Sequence, residues 1–247
     1  MANKLIIILL TATCCLFSAC RQDDSPQQTK DPFAYPSTKY WAHGMNTVEL
    51  AKSHAQHFEG MEVDINYSAF QNQLFMGHEL YDTILNLTFA QWLDSLPSPA
   101  NHYYWLDIKN LTTDNAPSIA HLVLTAAQKH GVQQHIMVEN LNASALRIVK
   151  DSGLYVILWV DNPYWSGISE EGFLNKTQEQ IDFLHPDALS GDYHNFPRLP
   201  DAFPNQNIHI WDTPRDYCDS NVAHSQTIAQ HPSVKVVLVD YPIPPNE

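Results

Sequence analysis

Residues 60–67, Gly-Met-Glu-Val-Asp-Ile-Asn-Tyr, set Met61, Val63 and Ile65 against Glu62, Asp64 and Asn66. Side chains alternate between the two faces of a strand. The segment is therefore a strand with one apolar face and one face carrying two carboxylates and an amide. Residues 154–160, Leu-Tyr-Val-Ile-Leu-Trp-Val, have no polar face at all, which suits a strand covered on both sides, as in a parallel sheet. Further strands are expected at 40–46, 103–108, 136–139, 188–190, 208–211 and 234–239, with 73–78 as a hairpin partner of 60–67. Helical periodicity fills the gaps at 47–58, 89–96, 117–130, 143–151, 177–184 and 221–230. About eight β/α units at spacings suited to crossover connections predict an α/β fold, a single (β/α)8 TIM barrel over residues 40–247. A doubly wound open sheet is the alternative.

The ends of those strands carry the chemistry, because a barrel builds its sites where strands end and βα loops begin. His43 closes the first strand and Asn46 follows it. Glu62 and Asp64 lie on the second, and His78 on the adjoining hairpin. Asp107 and Lys109 end the third, Glu139 the fourth, Asp161 the fifth, Asp192 the sixth, Trp211 the seventh and Asp240 the eighth. Glu62 and Asp64 are two residues apart and share a face, as do Asp107 and Lys109. Carboxylates side by side repel unless a cation separates them, and hard oxygen donors favour Mg²⁺ or Ca²⁺. Glu62, Asp64 and Asp107 thus form a candidate site for a divalent cation. Lys109 adds a fixed positive charge for an anionic substrate, and His43 and His78 flank the site as a general base and general acid. The combination points to metal-assisted cleavage of a phosphodiester.

Composition narrows the classes. The 247 residues carry 13 Lys+Arg against 27 Asp+Glu, a formal charge of −14, which disfavours a nucleic-acid partner. No glycine-rich phosphate loop is present. Residues 1–20 place Lys4 before an apolar run at 5–10 and end Phe17-Ser18-Ala19-Cys20. The run is too short to span a membrane and reads as an export signal. Its end resembles a bacterial lipobox, with Phe17 where Leu is usual. Cys20 would then be lipidated and become the first mature residue. Residues 21–39 form a polar tether. The expected location is the bacterial cell envelope, held to the membrane through the lipid anchor only. Cys218 is the one cysteine left, which excludes a disulfide scaffold and a cysteine zinc site.

The order His…Glu-x-Asp…His…Asp-x-Lys…Trp resembles the phospholipase-C-like phosphodiesterase barrels. These include the glycerophosphodiester phosphodiesterases and the sphingomyelinase D-type phospholipases. Asn46 three residues after His43, and Asp107-Ile108-Lys109 on the third strand, are closest to the sphingomyelinase D-like branch. Trp41-Ala42-His43 with Asn46 is also similar to the menorin-like family. The resemblance implies that Glu62, Asp64 and Asp107 hold the cation and that His43 and His78 are the acid/base pair. It implies that Lys109 holds the phosphate, with Asn46 at the substrate, and that Trp211 lines the substrate pocket. The substrates implied are glycerophosphodiesters or (lyso)phospholipid-type phosphodiesters. Gly44 stands where glycerophosphodiesterases have the arginine of His-Arg-Gly, so one phosphate contact of that family is missing. Two other readings share the barrel. A glycoside hydrolase would use Glu139 as its acid and need no metal. A non-catalytic surface-binding lipoprotein would keep only the scaffold.

Overall fold

The computed structural model describes residues 33–79, 86–213 and 216–245. The export signal, Cys20 and the tether as far as residue 32 lie outside the described residues. The strands are β1 (Tyr40–Ala42), β2 (Gly60–Ser68), β3 (Gln73–Met76), β4 (Tyr103–Ile108), β5 (Ile136–Asn140), β6 (Tyr155–Trp159), β7 (Ala188–Asp192), β8 (Ile208–Trp211) and β9 (Val234–Val239). All except β3 run parallel, each paired with the next in the chain. β1 pairs with both β9 and β2, which closes the sheet into an eight-stranded barrel. That closure rules out the open-sheet alternative. β3 lies antiparallel on β2 as the expected hairpin.

The helices are α1 (Val48–His54), α2 (Phe89–Ser95), α3 (Ala116–His130), α4 (Ala143–Asp151), α5 (Pro163–Ser166), α6 (Glu170–Leu184), α7 (Arg198–Ala202) and α8 (Asp219–Ala229). α6 starts seven residues before the periodicity indicates. Its buried stripe is Phe173, Thr177, Ile181 and Leu184, so a polar threonine interrupts the apolar pattern. Ser169 caps it by accepting a hydrogen bond from the Gly172 amide, and Glu170 and Glu171 face the positive helix end. α5 and α7 span four and five residues, too short for any periodicity to show.

Alternation along each strand separates two cores. Met61, Val63, Ile65, Leu106, Val138, Val156, Leu158 and Val237 join the layer under the helices. Trp41, Trp105, Met137, Tyr155, Ile157, Ala188, Val236 and Leu238 fill the barrel interior. Gly60 faces Trp41, and a Cβ at residue 60 would lie 2.1 Å from the indole. A glycine is therefore what lets the tryptophan enter the barrel. Residues 33–39, read from sequence as the end of the tether, instead pack on the barrel. Phe33 is buried and meets Tyr35, Tyr103 and Tyr155 edge-on at 5.0, 5.8 and 4.9 Å. The Tyr35 hydroxyl lies 3.1 Å from Nε2 of the fully buried His209. These aromatics fill the barrel interior at the end where the strands begin.

Candidate active site

β1 stops at Ala42 because Gly44 turns the chain with φ +70°, and the next amides bond back into the barrel. The His43 amide donates to Val239 and the Met45 amide to Glu62. His43 is thereby set beside Glu62. Its Nδ1 is 2.7 Å from Asp240 Oδ1, leaving Nε2 3.8 Å from Glu62 Oε2. Glu62 Oε2 also accepts the Gly44 amide at 2.8 Å. Asp64, Asp107 and Glu139 stand abreast, paired in register across β2, β4 and β5. Carboxylate oxygens of Glu62, Asp64 and Asp107 all lie within 4.8 Å of one another. Lys109 Nζ is 2.6 Å from both Asp64 Oδ1 and Asp107 Oδ2.

Asn46 does not line the cavity. Its amide nitrogen donates to Asp64 Oδ2 at 2.7 Å, and its oxygen accepts the Asp64 amide at 2.8 Å. The residue expected at the substrate therefore holds a carboxylate in place. Asn66 does the same for the turn that carries His78, donating to the Gly77 carbonyl at 2.7 Å and to the His78 carbonyl at 3.4 Å. Gly77 has φ +138°, which an L side chain resists. His78 Nδ1 is 3.0 Å from Glu79 Oε1.

His43, Glu62, Asp64, His78, Asp107, Lys109 and Trp211 meet on one cavity of about 290 Å³. Of the residues expected in the site, only Asn46 stands off that wall. Four more line it that the sequence did not single out for this site: Trp159, Asn140, Leu141 and Leu238. Trp159 pairs with Trp211 at 5.1 Å between ring centres. The cavity has two sides, since β1, β2 and β4 carry charge and β6 and β8 carry the indoles. Glu139 also lines it and accepts a hydrogen bond from Ser190. A larger hollow of about 500 Å³ opens where β8 and β9 begin, among Pro200, His231 and Lys235, and contains none of the site residues.

The charges strain against one another. Burial, then the Asp64 charge, raises the Glu62 pKa to about 8 against the pull of His43. Burial raises Asp107 against the pull of Lys109, and burial and the Asp107 charge hold Glu139 well above the usual carboxylate range. For His43, burial works downward but Asp240, Glu62 and Asp64 outweigh it and raise the pKa to about 9. Burial likewise opposes the Lys109 charge, and Asp107 and Asp64 reverse it. Three carboxylates gathered within 4.8 Å of one another, each an oxygen donor, fit a hard divalent cation.

No family model matches the chain, and none of the curated proteins matches it. Solved structures do match. An Oleispira antarctica phosphodiesterase in complex with the product sn-glycerol-3-phosphate is 14% identical with a TM-score of 0.63, covering 84% of this chain and 94% of that one. A glycerophosphodiester phosphodiesterase from Parabacteroides distasonis is 14% identical with a TM-score of 0.60, over 84% and 94%. N-(5'-phosphoribosyl)anthranilate isomerase from Pyrococcus furiosus is 14% identical with a TM-score of 0.50, over 81% and 86%. The likeness shows the fold, a (β/α)8 barrel. A barrel that houses an isomerase also matches, so the reaction has to be argued from the site.

Proposed function

We propose that this chain is a phosphodiesterase dependent on a divalent cation, acting on glycerophosphodiesters or (lyso)phospholipid-type phosphodiesters. The observation that carries the reading is the meeting of three carboxylates, one lysine and two histidines on a single cavity. Glu62, Asp64 and Asp107 would hold Mg²⁺ or Ca²⁺, which when bound polarises a phosphoryl oxygen and offsets the charge that develops there. Lys109 supplies a positive charge to the same phosphoryl group. His43 is held by Asp240 and carries its proton at neutral pH, which suits it to protonate the leaving oxygen. His78, on the adjoining hairpin, takes the proton of the attacking water or substrate hydroxyl. Trp159 and Trp211 bound the space left for the alcohol portion. The product bound by the Oleispira enzyme, sn-glycerol-3-phosphate, is the kind of phosphomonoester that cleavage of a glycerophosphodiester would release. The lipobox-like Phe17-Ser18-Ala19-Cys20 supports an envelope protein anchored through Cys20.

The two histidines test this assignment. His43→Ala and His78→Ala should each lower kcat by ~10²–10⁴-fold, the usual size of general acid–base catalysis, with Mg²⁺ affinity little changed. The double variant should lose far less than the product of the two losses, because the pair acts as a unit. A single variant that keeps wild-type activity removes that histidine from the mechanism. Loss of Mg²⁺ binding in either would make it a ligand.

A further inference from the structure

Lys109 occupies ground that the cation would also claim. Its ammonium is 2.6 Å from one oxygen of Asp64 and 2.6 Å from one oxygen of Asp107. The other oxygen of Asp64 is engaged by Asn46 at 2.7 Å. Asp64 therefore has no oxygen free of a donor, although it is one of the three ligands. A divalent cation on Asp64 and Asp107 would sit beside Lys109 Nζ, and two cations on the same pair of carboxylates repel. Lys109 also lines the cavity, so an ammonium released from Asp64 and Asp107 has an adjacent space to enter.

We propose that Lys109 serves as the cation of the resting site and yields its place to the divalent ion, becoming the phosphate-holding charge only when that ion binds. This rests on the reading of Glu62, Asp64 and Asp107 as cation ligands. The metal and the phosphate then bind with positive cooperativity, and Lys109 carries the coupling. A phosphate that draws Lys109 away vacates Asp64 and Asp107, and an ion that displaces Lys109 delivers it to the phosphate. Linkage requires the two effects to be equal in size. Either ligand alone binds weakly, because an anion alone meets a lysine already neutralised by two carboxylates.

The experiment is calorimetric titration of Mg²⁺ into the full chain, with and without saturating inorganic phosphate, for wild type and Lys109→Met. No turnover is measured, so the result is independent of whether the protein cleaves any diester. In wild type, phosphate should tighten Mg²⁺ binding by ~5-fold or more, the lower end of ordinary coupling between sites. In Lys109→Met, Mg²⁺ should bind about tenfold tighter than in wild type without phosphate, and the tightening by phosphate should be smaller than in wild type. A lysine that never leaves its carboxylates would also tighten Mg²⁺ on removal but would leave the phosphate effect at its wild-type size, so the reduced phosphate effect is the mark of the exchange. If Lys109→Met does not fold, Lys109→Gln takes its place in the same titration. Equal or weaker Mg²⁺ binding by the folded variant, an undiminished phosphate effect in it, or no phosphate effect in wild type, overturns the exchange while leaving the cation site standing. Absence of Mg²⁺ binding in both proteins overturns the cation site and the exchange together.

Discussion

His43 and Asp240 join the two ends of the barrel chain: Nδ1 of the histidine after β1 lies 2.7 Å from Oδ1 of the aspartate after β9. The pair forms only because β1 closes the barrel against β9, so the geometry of one site residue depends on the closure of the whole sheet. In the proposed mechanism Asp240 would act through His43, as a positioning residue. Asp240→Asn should lower kcat by ~10–100-fold, as loss of a carboxylate that orients a site histidine does elsewhere. The His43 pKa should fall from about 9, which NMR titration of the ring protons reads directly. An unchanged titration would show that Glu62 and Asp64, not Asp240, set the charge on His43.

Stability of the metal-free protein should decline as pH rises from about 6.5 to 9, above the range in which the depressed pKa of buried His209 works the other way. The folded-state pKa of Glu62 is raised to about 8 and that of His43 to about 9. Both groups hold protons in the folded chain that the unfolded chain has already released, so raising the pH removes stability across this window. For His43 the contribution is full below 6.5 and lost through 9; for Glu62 the loss runs from 4.5 through 8. Mg²⁺ favours the ionised carboxylates, so its stabilising effect should grow toward the alkaline end. Thermal melts at fixed ionic strength, with and without Mg²⁺, measure both slopes. A Tm that rises with pH across that window in the metal-free protein contradicts the arrangement.

Asn46→Ala should weaken Mg²⁺ binding by ~10–100-fold, because both ends of the Asn46 amide hold Asp64. The measurement is a metal titration alongside a melt, since α1 begins two residues later. Unchanged affinity would return Asn46 to the substrate side.

The fold was legible in outline because alternation and strand-end chemistry are local signals. Glu62, Asp64 and Asn66 announce the inward face of β2 by their polarity alone. The site was legible where one strand carries two of its members, as with Glu62 and Asp64 or Asp107 and Lys109. It was not legible where partners meet through barrel closure. Asp240 stood out as a polar strand end, yet nothing in its neighbourhood pairs it with His43, 197 residues away. Trp159 was hidden inside an apolar run, although it shares the inward face with Tyr155 and Ile157. Phe33 and Tyr35 were hidden in a proline-rich polar stretch, and their burial depends on aromatic partners far along the chain.

Gly60→Ala should destabilise the barrel by about 1–3 kcal/mol, the usual range for overpacking a core, because the new methyl meets the Trp41 indole. Phe33→Ala should cost about 3 kcal/mol for an emptied aromatic site. Urea unfolding gives both values. A Phe33→Ala protein as stable as wild type would show that residues 33–39 do not hold the barrel base.

Three carboxylates and a lysine on one cavity are proposed to make it a metal-dependent phosphodiesterase site. The direct measurement is ³¹P NMR of glycerophosphocholine and bis(p-nitrophenyl) phosphate incubated with the purified chain, with EDTA, and with Mg²⁺ or Ca²⁺ restored. Conversion of a diester to a monoester or cyclic phosphate should stop with EDTA, return with the ion and be absent in Glu62→Gln. Conversion that survives chelation, or no conversion of any diester across a panel of lipid headgroups by the ion-loaded protein, would contradict it.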